Sequence, residues 1–420
     1  MNKKYVYLLS FCALFFAFQY GMKSAIPNVL NENLRSYFSA NASQIGFLFS
    51  LSFLAYTAMQ IPTGLIIDRV SVKKIVISSF ALFSLGLIAF VISPNYICAA
   101  ISQIALGVTS SFALVLIMKV TNDYFSREKV AIVSGLAMSA GGLGPVICNP
   151  LMAHLTLSFQ WQNVVIYCGF LGILCAVIAY FMIKEKDLIQ PNTKNDSRSI
   201  IQDIKTVISD NRYTRISFFS MTVWGACSSF CDAWGVPFLT YVHEISREEA
   251  AYAISFAYTG MLVGSPLSAF LAETFQSYKK VMLGEAFCFV ILLGIISFTH
   301  LSNISLCVIL FSMGTFAMSQ FLAFPLVLSL CDRKLSATVT GIVNTITMLG
   351  CTILVSVIGY VLDWSKGLNL TYSAMDYRYS MIASVFSVLV GIVVLALLKT
   401  PDTENYKSHN VPAKPGACRM

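Results

Sequence analysis

The 420 residues are 57% hydrophobic and only 11% charged, with a mean hydropathy of +0.73, so charged side chains are too few to cover a soluble protein of this size. We therefore expect the chain to lie in a lipid bilayer. The net charge of +8 would suit a nucleic acid, but nothing further in the sequence supports that partner, and we expect none.

Apolar stretches give the number of membrane helices. A helix needs roughly 20 apolar residues to cross the hydrocarbon core. Twelve stretches meet this length and predict twelve helices, called spans one to twelve. They lie near residues 5–30, 44–67, 74–93, 96–121, 129–153, 163–183, 215–242, 249–272, 280–299, 303–330, 336–361 and 379–398.

Basic residues predict the orientation. Of the 28 Lys and Arg residues, four fall in loops on one side of the predicted bundle, two lie inside spans, and 22 fall in loops and tails on the other side. Cytoplasmic loops are enriched in Lys and Arg. We therefore expect a multi-pass protein of the bacterial inner membrane with both termini in the cytoplasm.

The spans divide into two sets of six. We expect a six-helix domain at 1–183, a cytoplasmic linker at 184–214, a second six-helix domain at 215–399 and a cytoplasmic tail at 400–420. Apolar residues recur at helical intervals between Ile200 and Ile208, which predicts an amphipathic helix on the membrane surface.

A charged turn joins spans two and three. Gly64 has no side chain and would let two helices approach closely, and Asp68 could accept hydrogen bonds from the start of a neighbouring helix. Arg69, Lys73 and Lys74 would hold the turn on the cytoplasmic side. We expect this turn to act in gating.

Features of the first half recur in the second, which indicates an internal repeat. The turn between spans eight and nine carries Glu273, Lys279 and Lys280 at places that correspond to the first charged turn. Lys23 precedes Pro27 in span one, and Asp232 precedes Pro237 at the matching place in span seven.

The spacing Gly-x-x-x-Asp-Arg-x-x-x-Lys-Lys resembles the loop between the second and third helices of the major facilitator superfamily, although Ser71 stands where that family usually has glycine. The resemblance extends over the whole chain. It implies an all-α membrane protein of twelve transmembrane helices in two pseudo-symmetric six-helix bundles. Such a protein would be a secondary transporter that works by alternating access.

Other segments narrow the resemblance. Asp232 to Leu239 and Gly264-Ser265-Pro266 resemble bacterial nutrient-uptake members, including amino-acid importers. Gln103 replaces an arginine that is often credited with proton coupling in the family. Cys148 and Asn149 replace a glycine pair of its exporter motif, which weakens the case for antiport.

Two ionisable residues lie deep in spans and are the main candidates for a substrate site. A charge in the hydrocarbon is costly and persists where it faces protein or a water-filled cavity. By the resemblance, Lys23 and Asp232 would line the central cavity from opposite halves, either binding the charged ends of a zwitterion or pairing with each other. The alternative is that each reaches water at the outer interface. Asp232 is also the candidate for proton coupling, because opening and closing of the cavity could change its protonation.

Polar and aromatic side chains would complete a pocket for a small polar solute. The candidates are Gln19, Tyr20, Tyr56, Gln60, Trp234, Gln320 and Asn344. Each could instead make a hydrogen bond between helices. Lys119 and Glu285 lie nearer the ends of their spans and are expected in salt bridges there.

No sequence motif points to an enzyme, a cofactor or a metal. The chain has no Gly-Lys dipeptide and therefore no P-loop, and Cys227 and Cys231 lack the His or carboxylate companions of a metal site. We expect a non-enzyme whose partners are a small-molecule substrate, the lipid bilayer and protons.

The predicted activity is proton-coupled uptake of a small polar solute, with an amino acid as the first candidate and an organic acid as the second. Efflux of drugs, metabolites or siderophore-like anions by the same fold is an alternative. A membrane sensor without transport activity is another.

Overall fold

A computed structural model of the protein describes residues 3–125, 127–183, 207, 209–331 and 336–398. Helices occur at all twelve predicted positions within these ranges. Most of the predicted linker, including its amphipathic helix, and all of the predicted tail lie outside the described residues. The predicted domain boundaries stay predictions.

The first six spans begin and end within a few residues of their predicted positions. Spans two and four are each broken once, and a short helix that the sequence pattern does not predict, Asn31–Phe38, follows span one. In order, spans one to six are Lys3–Val29, Ala42–Ala58 with Gln60–Arg69, Val72–Val91, Tyr96–Ser110 with Phe112–Tyr124, Arg127–Ser158, and Trp161–Met182.

Spans seven and ten change helix type midway. Span seven contains a π-helical turn and span ten a 3₁₀ turn. In order, spans seven to twelve are Asn211–Ser229 with the π turn Phe230–Trp234 and Gly235–Val242, Arg247–Thr274, Tyr278–Phe298, Asn303–Ala317 with the 3₁₀ turn Met318–Leu322 and Ala323–Leu330, Ser336–Lys366, and Ala374–Ala396.

Polar residues fix where several spans begin. Asn41, Ser246 and Ser373 each accept a hydrogen bond from the backbone N–H three residues later, and the side chain of that later residue bonds to the backbone N–H of the cap. These reciprocal bonds satisfy N–H groups that a helix start leaves unpaired.

On length and composition alone, nine helices of the described residues could cross a membrane, or ten if Asn31–Phe38 and Ala42–Ala58 count as one bent span. Spans five and seven fall outside this set. Span seven is the more polar of the two, since it carries Asp232 and several serines.

Helix pairs recur six spans later. Gly144 of span five lies against the carbonyl of Ala17 in span one, and Gly350 of span eleven lies likewise against that of Met221 in span seven. Spans two and four pack as spans eight and ten do, and spans three and six pack as spans nine and twelve do. The repetition confirms the predicted fold class of two pseudo-symmetric six-helix bundles.

The two halves meet through spans two and eleven and through spans five and eight. We call the face where span one begins and span twelve ends the termini side, and the opposite face the far side. A Cβ atom on Gly46 would come within 2.6 Å of the Val355 carbonyl oxygen, whereas one on Gly64 or Gly341 would meet nothing within 4 Å among the described residues. The halves are therefore closely packed on the far side at Gly46, and no such contact is seen at these two glycines of the termini side.

Candidate functional site between the two halves

Asp363 joins the halves at the rim of the far side. Its carboxylate accepts hydrogen bonds from the backbone N–H groups of Ala42 (3.1 Å) and Ser43 (2.7 Å), and from the hydroxyls of Ser43 and Tyr372. Negative charge is stabilised there because a helix start presents unpaired N–H groups. Burial and the neighbouring carboxylate raise the pKa of Tyr372 to about 12, so its phenol keeps the donated proton at neutral pH.

A second rim contact involves span eight. Arg247 donates to the side-chain oxygen of Asn33 (2.7 Å) and pairs with Glu32 (3.3 Å), both in the short helix after span one. His154 of span five lies 3.1 Å from Glu248. These side chains are at least one-third exposed, so each pair contributes modestly.

Below the rim, Asn28 of span one inserts into span seven at its π turn. The N–H of Gly235 reaches back five residues, past the carbonyl of Cys231. This longer bond leaves the Cys231 carbonyl free for Asn28. The amide nitrogen of Asn28 donates to that carbonyl, and its amide oxygen accepts from the N–H of Val236, both at 2.7 Å. Such π turns are rare and concentrate at functional sites.

Asp232 lies within the π turn and is 2% exposed. It accepts hydrogen bonds from Ser228 and from the phenol of Tyr258 in span eight (2.5 Å). The Tyr258 oxygen lies 2.5 Å from that of Ser24 in span one, and Asn149 of span five donates to Ser24 (2.9 Å). If the Ser24 hydroxyl donates to Tyr258 and the Tyr258 hydroxyl donates to Asp232, this series of hydrogen bonds runs from the first half to the carboxylate in the second half.

Trp234 closes the space beside this network. Its indole is fully buried, and Nε1 donates to the carbonyl of Val355 in span eleven (3.0 Å), next to Gly46 of span two. The ring therefore seals the far side in this conformation and is not exposed to a cavity.

Lys23 occupies a partly exposed aromatic site nearer the middle of the bundle. Its ammonium nitrogen lies 5.0 Å from the ring centre of Phe53 and 5.1 Å from that of Tyr56, and it donates to the hydroxyl of Ser110 (3.3 Å). Lys23 lies in span one and Asp232 in span seven. They do not form a salt bridge in this structure, and neither extends to the outer interface.

Gln320 makes an interhelical contact. It is 2% exposed and accepts a hydrogen bond from Ser220 of span seven (2.9 Å), which accepts one from Thr347 of span eleven (2.9 Å). The amide thus ties three spans of the second half together, as the alternative interpretation of these polar residues predicted.

The remaining pocket candidates differ in their surroundings. Tyr20 packs edge to face against Tyr258, with ring centres 5.9 Å apart. Gln19 is buried, whereas Gln60 and Asn344 are partly exposed. Their part in substrate binding stays a prediction.

The first charged turn lies on the termini side. Within the part of the chain that the structure describes, no neighbour stands within 4 Å of the place of a Cβ atom on Gly64, so the close helix approach predicted there is not seen. Ser71 caps span three, and Lys73 lies 4.7 Å from the ring centre of Tyr180. Arg69 is exposed, and the N–H of Lys74 donates to the capping hydroxyl of Ser71. The predicted hydrogen bonds of Asp68 fall outside the described side chains.

In the second charged turn, Lys279 binds the end of span twelve. Its ammonium donates to the carbonyls of Ala396 (3.1 Å) and Leu398 (2.5 Å), where a cation stabilises the unpaired carbonyls of a helix end. Glu273 is exposed, and the N–H of Lys280 bonds to the capping hydroxyl before span nine. A gating role for either turn stays a prediction.

The two other charged residues behave differently from each other. Lys119 forms the expected salt bridge near the end of its span, with Asp123 at 3.2 Å. The prediction of a salt bridge for Glu285 is wrong. This residue is 4% exposed and accepts a hydrogen bond from Ser268 (2.7 Å) instead.

Sequence reasoning missed the residues that cross between the halves, namely Ser24, Asn28 and Tyr258, and assigned no role to Asn149 beyond its departure from a motif. A signal was available for both asparagines. An amide in an apolar span is costly unless it is hydrogen-bonded, so each should have been expected to bind a neighbouring helix.

Comparison with known proteins agrees with this architecture. The sequence matches the family model described as Major Facilitator Superfamily over residues 9–355. It is 22% identical over 280 residues to the probable L-galactonate transporter of Escherichia coli, an alignment that spans 62% of each chain. It is 25% identical over 146 residues to the hexuronate transporter of Bacillus subtilis, or 35% of each chain.

Solved structures show the same fold. A bacterial homolog of the human lysosomal transporter Spinster, in an inward-facing and unoccupied conformation, superposes with a TM-score of 0.77. The superposition covers 97% of this chain and 98% of that one, at 15% sequence identity.

Proposed function

This chain belongs to the Major Facilitator Superfamily, and on that premise we propose that it carries a small organic anion across the bacterial inner membrane together with protons. Lys23 binds the carboxylate of the substrate, and Asp232 carries the proton. The amino-acid substrate predicted from the sequence becomes the second candidate.

The observation that carries this proposal is the unequal exposure of the two charges. Lys23 is partly exposed, and among the described residues Ser110 takes one of the three hydrogen bonds that an ammonium can donate. Asp232 is buried and already bound to Ser228 and Tyr258. A zwitterion needs both charges accessible, whereas an organic anion needs the cation alone.

The surroundings of Lys23 suit a carboxylate. Phe53 and Tyr56 hold the ammonium in place, and their rings exclude water, which strengthens a charge-assisted hydrogen bond to an incoming anion. The two relatives described above are named for acids, which supports the same substrate class.

The proposed orientation follows from the distribution of Lys and Arg, with the termini side in the cytoplasm. The closed far side then faces the periplasm, and the structure is inward-facing. A substrate bound at Lys23 would leave toward the cytoplasm from this state, as uptake requires.

The substrate class can be tested by thermal stability of the purified protein, because a ligand that binds the folded state raises its stability by about 2.7 kcal/mol at 100 times Kd. We expect L-galactonate, hexuronates or aromatic carboxylates to raise the melting temperature of the wild type. Lys23→Gln should abolish that rise, and Lys119→Gln, which changes a lysine outside the site, should keep it. Stabilisation by neutral amino acids, or an undiminished rise in Lys23→Gln, would overturn the proposed site.

Proton coupling is tested separately in proteoliposomes. Asp232→Asn keeps the shape of the side chain and an acceptor for Tyr258 but cannot be ionised. We expect it to lose uptake driven by a pH gradient and to retain exchange of labelled for unlabelled substrate. Undiminished gradient-driven uptake would remove Asp232 from the coupling mechanism.

A further inference from the structure

We propose that the π turn of span seven is a conformational switch that Asn28 holds in place. When Asn28 withdraws as the far side opens, the turn closes into α-helix and releases Asp232 from its buried position. Only the last consequence, the exposure of the proposed proton carrier, rests on the proposed function.

The backbone hydrogen bonds of the turn show what Asn28 does. In an α-helix the N–H of Gly235 would bond to the carbonyl of Cys231, and that of Val236 to the carbonyl of Asp232. Here Asn28 binds both the Cys231 carbonyl and the Val236 N–H, while Tyr258 directs its one phenol proton to Asp232. The substituting partner belongs to span one and not to span seven itself.

Opening the far side would break these bonds together. Asn28 lies in the first half and span seven in the second, so separation of the halves removes the donor and the acceptor at once. A buried carbonyl and a buried N–H left without partners are strongly unfavourable. The α-helical register offers span seven partners of its own for both groups.

The local sequence makes this change easy. Pro237 has no N–H, so the carbonyl of Ala233 already lacks the donor that a regular helix would provide. Gly235, which follows the turn, has no side chain to obstruct a rearrangement. We call the pair of hydrogen bonds from Asn28 to span seven the latch. Asn is suited to it because one amide carries both a donor and an acceptor.

Closure of the turn would reorient Asp232. A π turn holds one more residue than the α turn it replaces, so closing it rotates one flank relative to the other by about 100°, the angle per residue of an α-helix. The carboxyl would then leave Tyr258, which is fixed in span eight. Opening of the far side and release of the carboxyl thus become one event.

Distance measurements between the halves test the latch. Nitroxide-bearing noncanonical residues at Phe159 and Leu370, both exposed on the far side in opposite halves, avoid labelling the native cysteines. We expect Asn28→Ala to raise the population of long far-side distances by about fivefold or more. Asn31→Ala is the matched control, because this buried amide donates to the Pro27 carbonyl within its own half. Its distances should match the wild type.

Asn28→Asp keeps the size of the side chain and its acceptor but cannot donate to Cys231, so it should open partially. It also provides the test if Asn28→Ala fails to fold. Wild-type distances in a folded Asn28→Ala or Asn28→Asp protein would overturn the latch.

Hydrogen exchange tests the change of helix type. In Asn28→Ala the Val236 amide should stay protected, because the α-helical register gives it the Asp232 carbonyl. Rapid exchange at Val236 would overturn the π-to-α switch. Neither measurement requires substrate or a proton gradient, so these outcomes are independent of the transport proposal.

Discussion

Replacing Gly46 with Ala tests whether the far side closes by direct contact between spans two and eleven. The new Cβ atom would lie 2.6 Å from the Val355 carbonyl oxygen and 3.4 Å from the Trp234 indole, so one helix must move. Overpacking of this kind costs about 1–3 kcal/mol. The gain in helix propensity from Gly to Ala is the same in both conformations and cancels from their equilibrium. The ratio of far-side-closed to far-side-open protein should therefore fall roughly 5- to 150-fold.

The assay is the distance between nitroxide labels at Phe159 and Leu370. Gly294→Ala in span nine is the control, because nothing lies within 4 Å of the place of its Cβ atom. Gly64→Ala should leave the closed population unchanged or larger, since no described residue lies within 4 Å of the place of its Cβ atom. Wild-type distances in Gly46→Ala would refute the argument that this contact closes the far side.

Three further substitutions probe individual contacts. Ser220→Ala leaves the buried Gln320 without its donor and should lower stability by about 1–3 kcal/mol, measured by chemical or thermal unfolding in detergent. A wild-type value would mean that Gln320 finds another partner. Arg247→Ala removes a partly exposed pair with Glu32 and should shift the far-side equilibrium by less than about 1 kcal/mol, so a larger shift in label distances would contradict this. Lys279→Met should speed hydrogen exchange at the end of span twelve, and unchanged exchange would count against the cap.

The positions of the spans could be predicted because they depend on one requirement, the length of apolar helix that crosses the hydrocarbon. The pattern could not show the breaks inside spans two, four, seven and ten. The π turn in span seven, for example, is bound by Asn28, which is about 200 residues away in sequence and adjacent only after folding.

The candidate site was predicted in part. Lys23 and Asp232 stood out because ionisable groups in apolar spans are costly. Trp234 and Gln320 looked equally suitable for a pocket, yet both bond to other helices here. Composition alone cannot separate these cases, because an amide or an indole satisfies the same hydrogen-bonding need against a neighbouring helix as against a solute.

The polar links on the far side have a consequence for turnover. Asp363, Arg247 and Tyr258 connect the halves through hydrogen bonds and an ion pair whose partners water can replace. Each such bond has a net value of only about 0.5–1.5 kcal/mol. Hydration therefore offsets much of the loss at each separation, and the seal can be made and broken repeatedly within the microsecond-to-millisecond range of domain motions. An interface of the same area made only of apolar contacts would be harder to separate and would slow each transport cycle.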